Sequence, residues 1–154
     1  MQATQPDQAT DTAADEHAKV RIAAMASIRA KTRSHYTQAQ LDAALRLYHL
    51  VKQHRGTSGG NAAARLLLGL YNGTRFPFDL ADLRVLFDPE NFEAAMIVLR
   101  MDATRTWCEI HELLNAILEV SYVGHEFEVW AYNLRLKGRC TKEGYLELCK
   151  RVAV

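Results

Sequence analysis

Residues 56–71 read Gly56-Thr-Ser-Gly-Gly-Asn-Ala-Ala-Ala-Arg-Leu-Leu-Leu-Gly-Leu-Tyr71, and this stretch decides the fold. The five small residues 56–60 form a turn, and Asn61 is suited to cap a helix over 62–71 by accepting from its first free amides. Leu66, Leu67, Leu68 and Leu70 make that helix apolar on most sides, so it belongs at the centre of a domain and not on its surface. Asn72-Gly73 closes it. Upstream, Thr37-Gln-Ala-Gln40 has the form of a capping box, in which the Thr hydroxyl and the Gln amide satisfy orphan backbone donors. Leu41, Ala44, Leu45, Tyr48 and Val51 follow at the i, i+3, i+4, i+7 period of an amphipathic helix, which Gly56 ends.

Downstream the punctuation continues. Pro77 and Asp79 open a short helix with Leu80, Leu83 and Leu86 inward. Asp88-Pro89 marks a helix start, since Asp accepts from free amides and Pro needs no donor in a first turn. Phe92, Ala95, Met96 and Leu99 are the expected buried stripe of that helix. Thr106-Trp-Cys-Glu109 reads as a second capping box, ahead of Ile110, Leu113, Leu114, Ile117 and Leu118. Beyond Gly124, Phe127, Trp130, Ala131 and Leu134 fit a helix, while Phe127, Val129 and Ala131 also fit alternation. A small β element near 109–132 therefore stays open. A last amphipathic helix is expected over 141–152. The fold class is mainly α, a compact helical domain of six or seven helices.

The chain has 154 residues, 49% of them hydrophobic and 24% charged, which suits one globular domain. Its net charge of +1 argues against a polyelectrolyte that coats nucleic acid. No apolar run approaches the ~20 residues a membrane-spanning helix needs. The N-terminus lacks the basic and apolar regions of a secretory signal, and three scattered cysteines fit a reducing cytoplasm. Charge is distributed unevenly, however. Residues 1–16 carry four acids and no Lys or Arg and are expected to be a disordered acidic tail. Residues 17–55 hold eight Lys and Arg against Asp42 alone, a local charge of +7. Residues 56–154 hold eleven basic and thirteen acidic residues, or −2. The domain plan is the tail, a flexible basic helical arm over 17–36, and a single helical domain over 37–154.

Catalytic and metal motifs fail one by one. His111-Glu112 begins a zinc-peptidase pattern, but Asn115 stands where the second imidazole is required on the same helical face. Cys108, His111, Cys140 and Cys149 lack the short Cys spacings of structural zinc sites. The 56–60 turn leads to a helix N-terminus, where amides can hold an anion. It has no Lys-Ser or Lys-Thr pair and follows a helix instead of a strand, so it is not a Walker phosphate loop. The acid pairs Glu109/Glu112 and Glu126/Glu128 read as solvated faces, and Trp107 and Trp130 as core residues. No catalytic residue, cofactor or metal is assigned.

The remaining chemical feature is the basic segment. Lys19, Arg21, Arg29, Lys31, Arg33 and His35 are the candidate partner-binding residues. On an Ala-rich helix they can follow a phosphate backbone, or dock in an acidic protein groove with Val20, Met25 and Ile28 as anchors.

Gly56-Thr-Ser-Gly-Gly60, Ala64-Arg-Leu-Leu-Leu-Gly-Leu-Tyr-Asn72, Phe78-Asp-Leu-Ala-Asp-Leu83 and Val98-Leu-Arg-Met-Asp102 carry a resemblance, continued by Glu109-Ile-His111. Over about residues 47–114 the chain resembles an uncharacterised family carried on proteobacterial plasmids and integrative elements. That resemblance implies a mobile-element setting in a bacterial cytoplasm and no catalytic residue. The expectation is a non-enzymatic protein-binding accessory protein that engages a host or element-encoded complex, with a counter-defence, anti-CRISPR-like inhibitor as its specific form. The alternative is a nucleic-acid-binding accessory protein using residues 19–55. No membrane partner is expected.

Overall fold

The computed structural model describes residues 19, 20, 23, 26, 27, 29–32, 34–86, 88–105 and 107–136. The acidic tail, Arg21, Arg33, Cys140, Cys149 and the helix expected over 141–152 lie outside the described residues. Among those described there are five α-helices, one 3-10 helix and further helical residues between 19 and 35, and no strand. The elements are α1 (Gln38–Gln53), α2 (Ser58–Tyr71), the 3-10 helix (Leu80–Val85), α3 (Pro89–Arg105), α4 (Ile110–Leu118) and α5 (Val123–Asn133). No helix among the described residues is long and apolar enough to cross a membrane.

The capping box at Thr37 forms as its sequence requires: Gln40 N donates to Thr37 Oγ1 at 3.3 Å and Thr37 N to Gln40 Oε1 at 2.9 Å. From there α1 lays Leu41, Ala44, Leu47, Tyr48 and Val51 into the core. The α1–α2 connection differs from its sequence reading. Helix α2 starts three residues before Asn61, capped by Thr57, whose hydroxyl accepts from Gly60 N at 3.1 Å and donates to His54 O at 2.8 Å. Gly59 and Gly60 thus belong to the first helical turn. A Cβ on Gly60 would lie 2.1 Å from the His54 carbonyl oxygen, so the close approach of the two helix ends excludes any side chain there.

Helix α2 is central, in contact with all five other elements. Leu66, Leu67 and Leu68 are fully buried, and Ala62, Ala63 and Ala64 let neighbouring backbones approach. Helix α3 begins at Pro89, with Asp88 Oδ1 accepting from Glu90 N at 3.1 Å. Its buried stripe is Ala94, Ala95, Val98 and Met101, and Phe92 is 42% exposed. Small residues face α1 because the two helices pack closely. Arg46 of α1 fastens this contact through Asp88 (3.1 Å), Glu90 (2.7 Å) and Asn91 (2.8 Å). In the 3-10 helix, Asp79 caps Ala81 N at 2.8 Å. Leu86, which follows this helix, is buried, but Leu80, its first residue, is 68% exposed.

The alternation near 109–132 resolves as helix. Helix α4 starts at Ile110 with its cap at Glu109, whose N donates to Glu112 Oε2 at 3.2 Å, and Thr106 lies outside the described residues. Asn115 Oδ1 then accepts from Val123 N at 3.1 Å and starts α5. Val123, Phe127, Trp130 and Ala131 are buried along one helical face. Helix α5 ends in a Schellman motif: Leu136 N donates to Ala131 O and Arg135 N to Tyr132 O, both at 3.0 Å. Arg135 occupies the left-handed position, φ 61°, where glycine is usual.

Three substitutions test this packing by thermal or denaturant unfolding. Leu67→Ala is expected to cost about 2–5 kcal/mol, against under about 0.5 kcal/mol for the exposed Leu80→Ala. Gly60→Ala should cost about 1–3 kcal/mol by overpacking. A Gly60→Ala protein as stable as the parent would refute the close approach.

Candidate functional site

Helix α5 carries two carboxylates that the sequence reading left on a solvated face, and the structure corrects this. Glu126 is 6% exposed. Tyr48 and Lys52, one turn apart on α1, both reach it: the Tyr48 hydroxyl donates to Oε2 and the Lys52 ammonium to Oε1. The tyrosine ring also lies 5.6 Å from that of Trp130. Burial first, and then the Glu126 hydrogen bond and charge, push the Tyr48 phenol well above its ordinary value of 10.0. Such a cluster has acid–base components, but each member already has its partner. It joins α1 to α5.

Glu128, one turn from Tyr132 on the same helix, receives a fork from Arg75 at 2.7 and 2.8 Å and the Tyr71 hydroxyl at 3.3 Å. Bidentate arginine pairs are directional as well as strong, so this one sets the angle of α5 against the end of α2. The Tyr71 ring meets His111 edge-on at 5.0 Å, and a Cβ on Gly124 would stand 3.2 Å from the His111 ring. Glu109 and Glu112 are exposed, and Glu112 serves the α4 cap. Among the described residues no three His, Cys, Asp or Glu side chains come together to hold a metal ion. Cys108 is a free, half-buried thiol whose pKa burial raises, which disfavours the reactive thiolate.

The basic segment divides by position. Lys19 and Lys31 are exposed. Arg29 pairs with Glu119 at 3.0 Å. Thr32 and Tyr36 are buried, and the Tyr36 hydroxyl accepts from Trp107 N at 3.1 Å, so the segment's end is fastened to the α3–α4 connection. His35 stacks on Trp107 with ring centroids 4.9 Å apart. Trp107 is 37% exposed, a surface aromatic and not the core residue its spacing suggested. Beside it runs a groove of about 400 Å³ lined by Cys108, Glu112, Asn115, Ala116, Val120 and Ser121. The structure thus brings His35 together with Trp107 and joins Arg29 to Glu119 at the end of α4. Nothing local announces the Trp107–His35 pair, whose members are 72 positions apart in the chain. The only sequence hint was a tryptophan in a short interhelical connection.

Tyr48→Phe should remove one of Glu126's two hydrogen bonds and cost about 1–3 kcal/mol. The raised Tyr48 pKa also fixes a pH dependence. The folded state holds the phenolic proton above pH 10, where the unfolded chain releases it. The corresponding stability is complete below about pH 10 and is lost as pH rises further. Alkaline unfolding followed by circular dichroism should therefore steepen above pH 10 in the parent, and less so in Tyr48→Phe. Equal slopes would refute the assignment.

No curated protein and no solved structure matches the chain. The profile of a family of unknown function (DUF7673) matches residues 41–121, from the first buried leucine of α1 to the turn before α5. That span covers a little over half of the sequence and includes the central α2, helix α3 and the Trp107 groove, and the chain belongs to this family.

Proposed function

We propose that this protein is a non-enzymatic protein-binding accessory protein of a mobile genetic element. The observation that carries the reading is Trp107, exposed, stacked on His35 and set at the edge of an apolar-walled groove. Tryptophan, tyrosine and arginine dominate the energetics of protein interfaces, because a rigid aromatic body loses little entropy on docking. The helical segment that supplies His35 also supplies the exposed Lys31, one turn earlier. A partner with an acidic rim and an apolar anchor suits this surface. The mobile-element setting rests on the resemblance carried by residues 47–114. An inhibitor of a host defence complex, of the anti-CRISPR kind, is the specific form of the reading that this setting favours.

The alternative is nucleic-acid binding through residues 19–55. The exposed Lys19, Lys31 and Arg55 support it. Against it, Arg29, Arg46 and Lys52 are already committed to Glu119, to Asp88 and Glu90, and to Glu126. The segment therefore offers fewer cations to phosphate than its local charge suggests.

Affinity capture of the tagged full chain from a bacterial lysate, with and without nuclease, separates the two. The expected result is a stoichiometric protein that survives nuclease and falls at least tenfold with Trp107→Ala. Capture indifferent to Trp107→Ala would overturn the proposed surface. A salt-sensitive DNA shift, lost on charge reversal of Arg29, Lys31 and Arg33, would establish the alternative instead.

A further inference from the structure

A second concavity shares no residue with the Trp107 groove. The α1–α2 turn, the first two turns of α2 and the end of α5 enclose a cleft of about 310 Å³. Arg55, Arg65 and Arg135 stand around it, and no carboxylate lines it. Among the described residues, Arg55 and Arg135 form no ion pair, and Arg65 has one exposed pair, with Asp82 at 3.2 Å. Three arginines thus line one cleft, whereas Arg29, Arg46 and Arg75 elsewhere are each held by a carboxylate. The positive end of α2, a helix of 14 residues, lies at the same cleft through Gly60 and Asn61. Neither Gly56 nor Gly60 presents a side chain that would cover the backbone.

The wall of the cleft has a further feature. Trp130 forms part of its wall, is 3% exposed, and leaves its indole N–H without a hydrogen-bond partner. A buried tryptophan N–H ordinarily has one. Arg135 adds to this, since it holds a left-handed position that glycine would occupy at less conformational cost. Its side chain is therefore present where the backbone alone would favour none.

We propose that this cleft binds a small phosphate monoester, with the phosphate held by Arg55, Arg65 and Arg135 and the organic body against Trp130, Val51 and Ala64. Guanidinium forks match phosphate oxygens in geometry, and a phosphomonoester carries close to two charges at neutral pH. The cleft is larger than inorganic phosphate requires and sits at the lower end of the sizes usual for small-molecule sites. The monoester can be a free metabolite-sized molecule or the 5′-phosphate end of a nucleic acid strand.

The test uses the full chain carrying Trp107→Phe, which leaves Trp130 as the single indole. Inorganic phosphate, adenosine 5′-monophosphate, adenosine, and single-stranded oligonucleotides with and without a 5′-phosphate are titrated at constant ionic strength. Calorimetry and the Trp130 indole N–H resonance are the readouts. Adenosine 5′-monophosphate is expected to shift that resonance and to bind at least tenfold more tightly than adenosine. Affinity should fall as pH drops below about 6, where the dianion takes up a proton. Arg55→Ala and Arg135→Gly should each weaken binding about tenfold or more, with Arg135→Gly at least as stable to heat as the parent. Asp82→Asn, which frees Arg65, should tighten it. Saturation only by the 5′-phosphorylated oligonucleotide assigns the monoester to a strand end and keeps the site. An unmoved Trp130 resonance with every probe, or equal binding by the Arg55→Ala/Arg135→Gly double variant, overturns the proposal.

Discussion

Leu66, Leu67 and Leu68 are consecutive, and an α-helix points consecutive side chains about 100° apart. Burying all three means that α2 must be covered over most of its circumference, which no single neighbour can do. That constraint organises the other elements. Helix α1 covers one side, α5 and α4 another, and α3 and the 3-10 helix close what remains. The alanines at 62–64 and Gly60 serve the same end, because a central helix surrounded by others must let their backbones come close.

Apolar burial around α2 is non-directional and would leave α5 free to rotate or slide. The charged groups restrict it. Glu126 can satisfy Tyr48 and Lys52 in one orientation only, and the Arg75 fork on Glu128 sets a second angle two residues, about 3 Å, along the same helix. Replacing such groups by apolar ones of equal shape need not destabilise a core, so their contribution here is to orientation more than to net stability. Both surfaces considered functional depend on that orientation. Helix α5 supplies Trp130 and Arg135 to the arginine cleft, and its start is tied by Asn115 to the helix that walls the Trp107 groove.

Polar residues on this protein therefore divide by whether they have partners. The basic segment looked uniform in sequence, yet Arg29 is spent on Glu119 and His35 on Trp107, whereas Arg55, near the end of α1, pairs with nothing described. Local charge density pointed to residues 19–35 as the binding element. Tertiary structure also places Arg55, Arg65 and Arg135 around one cleft, although they come from distant parts of the chain and show no spacing pattern.

What the amino-acid sequence determined by itself was local: the helical class, the Thr37 and Asp88 helix starts, the central place of the leucine-rich helix and the face of α1. These depend on capping groups and on a period of 3.6, whose terms lie within a few residues of one another. Tertiary structure decided what depends on partners far along the chain. It turned α3 to present Ala94 and Val98 in place of Phe92, moved Glu126 from an assumed solvent face to the interior, brought Trp107 to the surface beside His35, and started α2 at Thr57. In each case the deciding contact joins residues on separate elements or a backbone approach between two helices, and neither leaves a period in the sequence.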